Sequence, residues 1–401
     1  MKGAETEMEL KAGMTLPLRK TTEKLLMGPG PSNADQRVLR AMSEPMIGHL
    51  DPDFLGIMNE TRELLKYVFQ TENELTMAMP GTGSAGMEAA WANTVLPEMK
   101  VIICVHGVFG QRMTDVASRY GVNVVVVGSP MGRPIDPADL QKAIKDNPDA
   151  KVVGIVHAET STGVLQPLEE ISKMVHEAGM FLLVDCVTSL GGVEVPVERL
   201  KFDMTYSGTQ KCLNCPPGLA PLTVSPRMGE WISKRQIPVK NWYLDLNMIM
   251  RYWGEDRFYH HTAPINMTYA LNEALRIILE EGNEKRWERH WSNARLFWKV
   301  LEAMGLKPVV EEKYRLPSLT TYYTPEGVNE ASVRKYLMDK YSIEIGGGLG
   351  ELKGKIHRVG LMGVNSNPAK MALLTVALCD AFNAHGYKCD TGAALEVLSG
   401  K

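Results

Sequence analysis

Six short apolar runs, mostly rich in Val, Ile and Leu, recur between residues 75 and 206, and they constrain this chain more than any other feature. Leu75–Met79, Val101–Val105, Val122–Val127, Lys151–Val156, Met180–Val184 and Phe202–Tyr206 read as strands. Helical spacing fills the gaps, over Met87–Val95, Arg112–Tyr120, Pro137–Lys145 and Leu168–Ala178, with Gly121 and Gly179 placed as stops. A further helix is expected near 53–69. Strands apolar on both faces, alternating with amphipathic helices, predict an α/β fold: a mostly parallel sheet flanked by helices. Beyond about residue 265 the alternation stops. Two long helices, Met267–Glu281 and Glu284–Met304, precede strands at Lys307–Val310 and Leu319–Tyr323 and a helix over Val328–Lys340. A strand containing Arg358 follows, and Asn367-Pro368 opens a last helix as cap and first turn. We therefore expect a polar arm over 1–26, a large domain over 27–284 and a smaller C-terminal α+β domain over 285–401.

The 401 residues are enough to bury such a core without disulfides or structural metal. The charge balance, 44 − 47 = −3, lacks the basic excess of a nucleic-acid binder. No apolar run approaches the ~18 residues of a membrane span. Six scattered cysteines do not form a disulfide framework. Glu5, Glu7 and Glu9 speak against a transit peptide, and Ser399-Gly400-Lys401 is not the peroxisomal address. A reducing cytoplasm is expected.

In an open parallel sheet, ligands bind beyond the carboxyl ends of the strands. Those ends carry Pro80-Gly81-Thr82-Gly83-Ser84-Ala85-Gly86, then His106-Gly107-Val108-Phe109-Gly110, then His157 to Gly163 with Thr160 among them. Asp185 and Ser207-Gly208-Thr209-Gln210-Lys211 complete the rim. Gly81 to Gly86 matches G-x-G-x-x-G, yet the acidic residue that dinucleotide binding needs is missing near His106. What survives is an anion site, because backbone N–H groups at a helix start favour phosphate. The plainer alternative is a tight turn that needs glycine. Lys211 and Asp185 stand 26 residues apart on two strand ends. A pyridine cofactor uses such a pair, an amine for the Schiff base and an acid facing the ring nitrogen. Phe109 offers a stacking face, or packs in the core. Arg358, in an apolar strand, needs an anion: a substrate carboxylate or an internal salt bridge. Cys212-Leu-Asn-Cys215 lacks a second ligand pair for zinc, and His260-His261 read as packing residues.

These residues resemble the class V, fold-type I aminotransferases, most closely the alanine–glyoxylate, serine–pyruvate and serine–glyoxylate branch. LLMGPGPSNADQRVLRAM, GVFGQRMTDVASRYG, ETSTGVLQPLEEI, LLVDCVTSLGGVEV, YSGTQKCLNCPPG and IEIGGGLGELKGKIHRVGLMG carry the resemblance over residues 25–385. It implies the PLP-dependent transferase fold type I, pyridoxal 5'-phosphate as cofactor, and a homodimer with shared active sites. Lys211 becomes the Schiff-base lysine and Asp185 the partner of the ring nitrogen. Phe109 and Thr160 contact the ring; Thr82, Gly83, Ser84 and Gln210 hold the phosphate. Tyr259 and Thr262 are lent to that phosphate by the other subunit. Arg358 grips the substrate carboxylate, and Gly30, with the backbone near Ser32 and Asn33, lines the substrate pocket. The expected reaction moves an amino group from serine or alanine to glyoxylate or pyruvate. One carboxylate clamp suits a small 2-oxo acid: Gly28–Asn33 and Ile345–Gly350 offer no second cation, and His49 is the nearest uncertain case.

The phosphate loop GTGSAGMEA departs from the animal alanine–glyoxylate enzymes, which place a histidine near Ser84. It is nearer to the bacterial form that includes ureidoglycine–glyoxylate aminotransferases, the alternative reading. Those relatives tend to carry asparagine where this chain has Tyr259. Remoter alternatives are an NAD-dependent dehydrogenase and a non-catalytic binding protein. A desulfurase would need a cysteine between Tyr341 and Arg358, where there is none.

Overall fold

Seven strands form the central sheet of the computed structural model, which describes Ala12 and residues 21–399. Across the sheet they run Leu75–Pro80, Leu219–Val224, Met204–Tyr206, Phe181–Asp185, Val152–Val156, Lys100–Val105 and Asn123–Gly128. All are parallel except Leu219–Val224, which pairs antiparallel with both neighbours. Sequence analysis does not anticipate that strand, because Pro221 breaks the pattern of a central strand. The proline is tolerated there, and its carbonyl accepts a hydrogen bond from Ser207 N at 2.8 Å.

The helices Gly83–Thr94 and Val108–Ser118 begin earlier than apolar spacing indicates, at Gly83 rather than Met87 and at Val108 rather than Arg112. Their first turns belong to the site rather than to the core, so hydrophobic period does not mark them. Both sit tight on the sheet. A Cβ on Gly154, in the strand Val152–Val156, would lie 2.6 Å from the Trp91 ring and 2.9 Å from the Met113 sulfur. The expected helix near 53–69 forms over Pro52–Phe69, with the Asp51 side chain accepting from Asp53 N.

A second core gathers Phe297, Tyr322, Val359, Leu378 and Phe382 beside a three-stranded antiparallel sheet. In it Leu319–Tyr323 pairs with Ile356–Gly360, which pairs with Gly346–Gly347. No strand forms over Lys307–Val310; a single bridge joins Pro308 to Tyr322. Around it Val309 N donates to Thr321 O at 3.1 Å and Tyr323 N to Lys307 O at 2.9 Å. Asn367 caps the helix Pro368–Ala384, accepting from Ala369 N and Lys370 N, and a further helix, Thr391–Ser399, follows it. The end of the expected arm, Leu25–Leu26, is a short strand parallel to Ile343–Glu344, and Met27 packs into the second core. Residues 1–11 and 13–20 of the arm lie outside the described residues. Among the described residues no helix is long and apolar enough to cross a membrane.

Candidate active site

A cavity of about 220 Å³ opens at the carboxyl ends of the parallel strands. At one side the strand Leu75–Pro80 turns into the helix Gly83–Thr94. The turn passes through Gly81 at φ +115, where a Cβ would meet Ala85 at 2.6 Å, so only glycine serves. Thr82 is the N-cap residue, but no side chain caps the helix. Thr82, Gly83 and Ser84 line the cavity with Gln210, whose Oε1 is buried without a partner among the described residues. Turning that amide about presents N–H donors instead. Uncapped first-turn N–H groups and an amide make a phosphate seat.

Asp185 ends its strand on the cavity floor and is buried. Its Oδ1 accepts from Val187 N and its Oδ2 from the Tyr206 hydroxyl, both at 2.9 Å. Burial pushes its carboxyl up to about 6. Lys211 is 7 % exposed, and its Nζ donates to the Pro29 carbonyl. Burial, and next the positive charge of Arg358, bring the amine down to about 8. Gly30 lies against it: a Cβ there would stand 2.5 Å from Nζ, and φ is +108.

Phe109 and Thr160 face the same cavity. The Thr160 hydroxyl shares a hydrogen bond with that of Thr188. Arg358 lies just beyond, at the centre of the strand Ile356–Gly360. Its Nε donates to Gly347 O at 2.6 Å and its Nη1 to Thr160 O at 3.1 Å. No carboxylate stands within ion-pairing distance of it among the described residues, so the internal salt bridge is absent there. Gly346, directly opposite in the ladder, lets Pro29 pack against this strand: a Cβ there would stand 2.5 Å from the Pro29 Cδ.

Tyr259 and Thr262 do not join this cavity. They hydrogen-bond to each other at 3.2 Å on the surface, with Tyr259 53 % exposed. His49 stacks near Tyr259, ring centroids 4.9 Å apart, and belongs to that surface rather than to the pocket. Ser32 and Asn33 act as buttresses. The Ser32 hydroxyl donates to Lys211 O at 2.8 Å, and Asn33 holds Leu26 N and Lys24 O.

Three groups at the site escape sequence reasoning. Tyr206 supports Asp185 from the next strand, a contact visible only once the strands are paired. Arg112 lines the cavity, its guanidinium 4.8 Å from the Phe109 ring centroid. The expectation of no cation beside Arg358 rested on two other segments; Arg112 reaches the pocket from one turn into the helix Val108–Ser118. Arg286, buried on a distant helix, donates to Cys212 O, Gly191 O and Asn214 Oδ1, and so fixes the chain after Lys211. Cys212 and Cys215 are buried thiols pushed up to about 11 and about 12 by that burial, and no metal-binding cluster forms among the described residues. His260 and His261 bond to each other at 2.9 Å.

An amine, a buried carboxylate and free N–H donors around one cavity could hold a phosphorylated pyridine aldehyde. The chain belongs to the class V aminotransferases, whose family model, described as "Aminotransferase class-V", matches residues 25–355. It is 37% identical to the (S)-ureidoglycine–glyoxylate transaminase of Bacillus subtilis, with 94% of each chain covered. It is 38% identical to the alanine–glyoxylate aminotransferase of Drosophila melanogaster, over 92% of this chain and 95% of that one. The crystal structure of an alanine–glyoxylate aminotransferase from Nostoc sp. superposes with a TM-score of 0.91 at 47% identity, covering 94% of this chain and 100% of that one. The protein is a transaminase that depends on pyridoxal phosphate. The buried, unpartnered Gln210 Oε1 and the uncapped helix start fit the phosphate, and Asp185 with Tyr206 fits the ring nitrogen. The dehydrogenase and binding-protein alternatives fall away.

Proposed function

We propose that this transaminase moves the amino group of alanine or serine to glyoxylate, and less well to pyruvate. The observation that carries the reading is Arg358, a buried guanidinium with two carbonyl partners and no carboxylate among the described residues, set beside Lys211. A small 2-oxo acid supplies the missing anion.

Bound pyridoxal phosphate supplies the electron sink that acidifies the Cα–H bond of an amino acid. Lys211 Nζ, partly neutral at physiological pH, would hold the cofactor through its aldehyde and, once the substrate's amino group has displaced it, would be free to take the Cα proton. Asp185, as a carboxylate, would hold the proton on the ring nitrogen. Tyr206 and Val187 N keep its carboxylate oriented. Thr82, Gly83, Ser84 and Gln210 seat the phosphate; Phe109 and Thr160 bound the ring; Gly30 leaves room for the lysine. Arg358 orients the substrate through its carboxylate.

Tyr259 and Thr262 complete the phosphate seat of a second copy, so the active unit is a homodimer with shared sites. Their exposure beside exposed Met46, Trp242 and Tyr243 supports this. A domain division near 284–285 is supported by a first core that draws on residues up to Ile278 and a second from Phe297 onward, which Met27 joins, and six buried free cysteines suit a reducing cytoplasm.

A second reading, ureidoglycine as donor, is favoured by the Bacillus subtilis ureidoglycine–glyoxylate aminotransferase structure, which superposes with a TM-score of 0.94 at 38% identity, covering 96% of this chain and 99% of that one. Turnover of alanine, serine and ureidoglycine against glyoxylate separates the two. Alanine or serine should lead, and a strong preference for ureidoglycine would reverse the assignment.

A further inference from the structure

Glu159 sits in the two-residue strand Ala158–Glu159 and is fully buried, yet no step above uses it. Its carboxylate is ringed by donors. Oε1 accepts from Ser161 Oγ at 2.6 Å and Ser161 N at 3.0 Å, and Oε2 accepts from Phe109 N at 3.2 Å and Gly110 N at 3.3 Å. Ser161 Oγ in turn accepts from Val108 N at 3.0 Å. Four donors and the first turn of the helix Val108–Ser118 favour the ionised form, against the upward push of burial. The chain is shaped around this group. A Cβ on Gly107 would stand 2.3 Å from the Glu159 Cδ, so the helix reaches the carboxylate only because residue 107 is glycine.

The groups on either side matter to the site. Phe109, whose N–H the carboxylate holds, is the aromatic wall. Thr160, the next residue, faces the cavity with its side chain, and its carbonyl receives Arg358 Nη1. Fixing the turn at 159–161 therefore fixes the anchor of the substrate arginine as well. The negative charge of Glu159 also helps keep that buried guanidinium protonated.

We propose that Glu159 is a positioning residue for the transamination: one buried carboxylate holds the aromatic wall at Phe109 and, through Thr160, the carboxylate clamp at Arg358. The proposal rests on the roles given above to Phe109 and Arg358. Its physical core is that a carboxylate offers acceptors on both oxygens. Glutamine offers one oxygen and an NH2 group, which would face N–H donors. It must give up either the helix or Ser161.

The test uses the holoenzyme and three variants, Glu159→Gln, Phe109→Leu and the double. The readouts are the visible circular dichroism of the bound cofactor, its dissociation constant, and donor KM against kcat. Glu159→Gln should weaken the dichroic band and raise the cofactor dissociation constant roughly 10-fold, the lower end for losing hydrogen bonds to a charged group. It should raise donor KM more than it lowers kcat. Phe109→Leu should move the cofactor readouts the same way, and the double should add little. Wild-type values in Glu159→Gln, with Phe109→Leu shifted, overturn the proposal and leave the site assignment standing. Full additivity in the double also overturns it. Wild-type values in both single variants overturn the site assignment and the proposal together. If Glu159→Gln does not fold, Ser161→Ala, which removes one donor to Oε1, takes its place. A smaller shift in the same direction supports the proposal, and none overturns it.

Discussion

The Lys211 amine, brought down to about 8 chiefly by burial, is unprotonated in roughly one molecule in ten at pH 7, against a few in ten thousand for a solvated lysine. A lowered lysine pKa moves the neutral, nucleophilic form to lower pH. The rate at which apoenzyme captures pyridoxal phosphate, read from its visible band, should therefore climb to about pH 8 and then flatten. A rate still climbing at pH 10 contradicts the burial argument. Arg358 makes a separable contribution. Losing a desolvated charge pair costs about 2–5 kcal/mol, so Arg358→Ala should lower kcat/KM toward glyoxylate roughly 30-fold to several thousand-fold. The cofactor band should survive, since Arg358 touches neither phosphate nor ring in this assignment. An unchanged kcat/KM removes the clamp. At this scale Lys211, Asp185, Thr160 and Arg358 are legible in the sequence, because each stands at a strand end or in an apolar strand where a polar group demands a partner. Tyr206, Arg112 and Glu159 are not. Their roles come from strand pairing and from the approach of one helix to one turn, and no local pattern encodes either.

Secondary-structure elements carry the site by close packing. The helices Gly83–Thr94 and Val108–Ser118, whose starts face the cavity, are set against the sheet by the close approach of Trp91 and Met113 to Gly154. Gly154→Val should overpack that layer and destabilise the fold by about 1–3 kcal/mol. It should also loosen both helix starts, so thermal unfolding should shift down and cofactor affinity should fall with it. A variant as stable as the parent would show that this contact does not set the layer. The alternation of apolar runs makes the parallel strands readable, and Asp51 and Asn367 mark helix starts by capping chemistry. Leu219–Val224 stays hidden behind Pro221. The strand expected at Lys307–Val310 shrinks to one bridge, at Pro308.

For the whole molecule, the shared-site assignment predicts complementation between chains. Lys211→Ala lacks the catalytic amine but keeps Tyr259 and Thr262; a Tyr259→Phe, Thr262→Ala chain has the reverse defect. Dissociated and reassociated at random, half of the dimers are hybrids with one intact site. The mixture should regain about a quarter of the parent activity. No gain on mixing would mean that each chain builds its phosphate seat alone. The proposed assembly is legible in the sequence only through the family resemblance, since Tyr259 and Thr262 stand apart from the cavity that holds Lys211. The central claim, a single-clamp transaminase for small 2-oxo acids, is tested most directly by comparing acceptors with alanine as donor. Among the described residues that line the cavity, Arg112 is the guanidinium that a second carboxylate could use, and it lies over the Phe109 ring. The account predicts kcat/KM for glyoxylate far above that for 2-oxoglutarate. Equal or better use of 2-oxoglutarate, lost on Arg112→Gln, would contradict it.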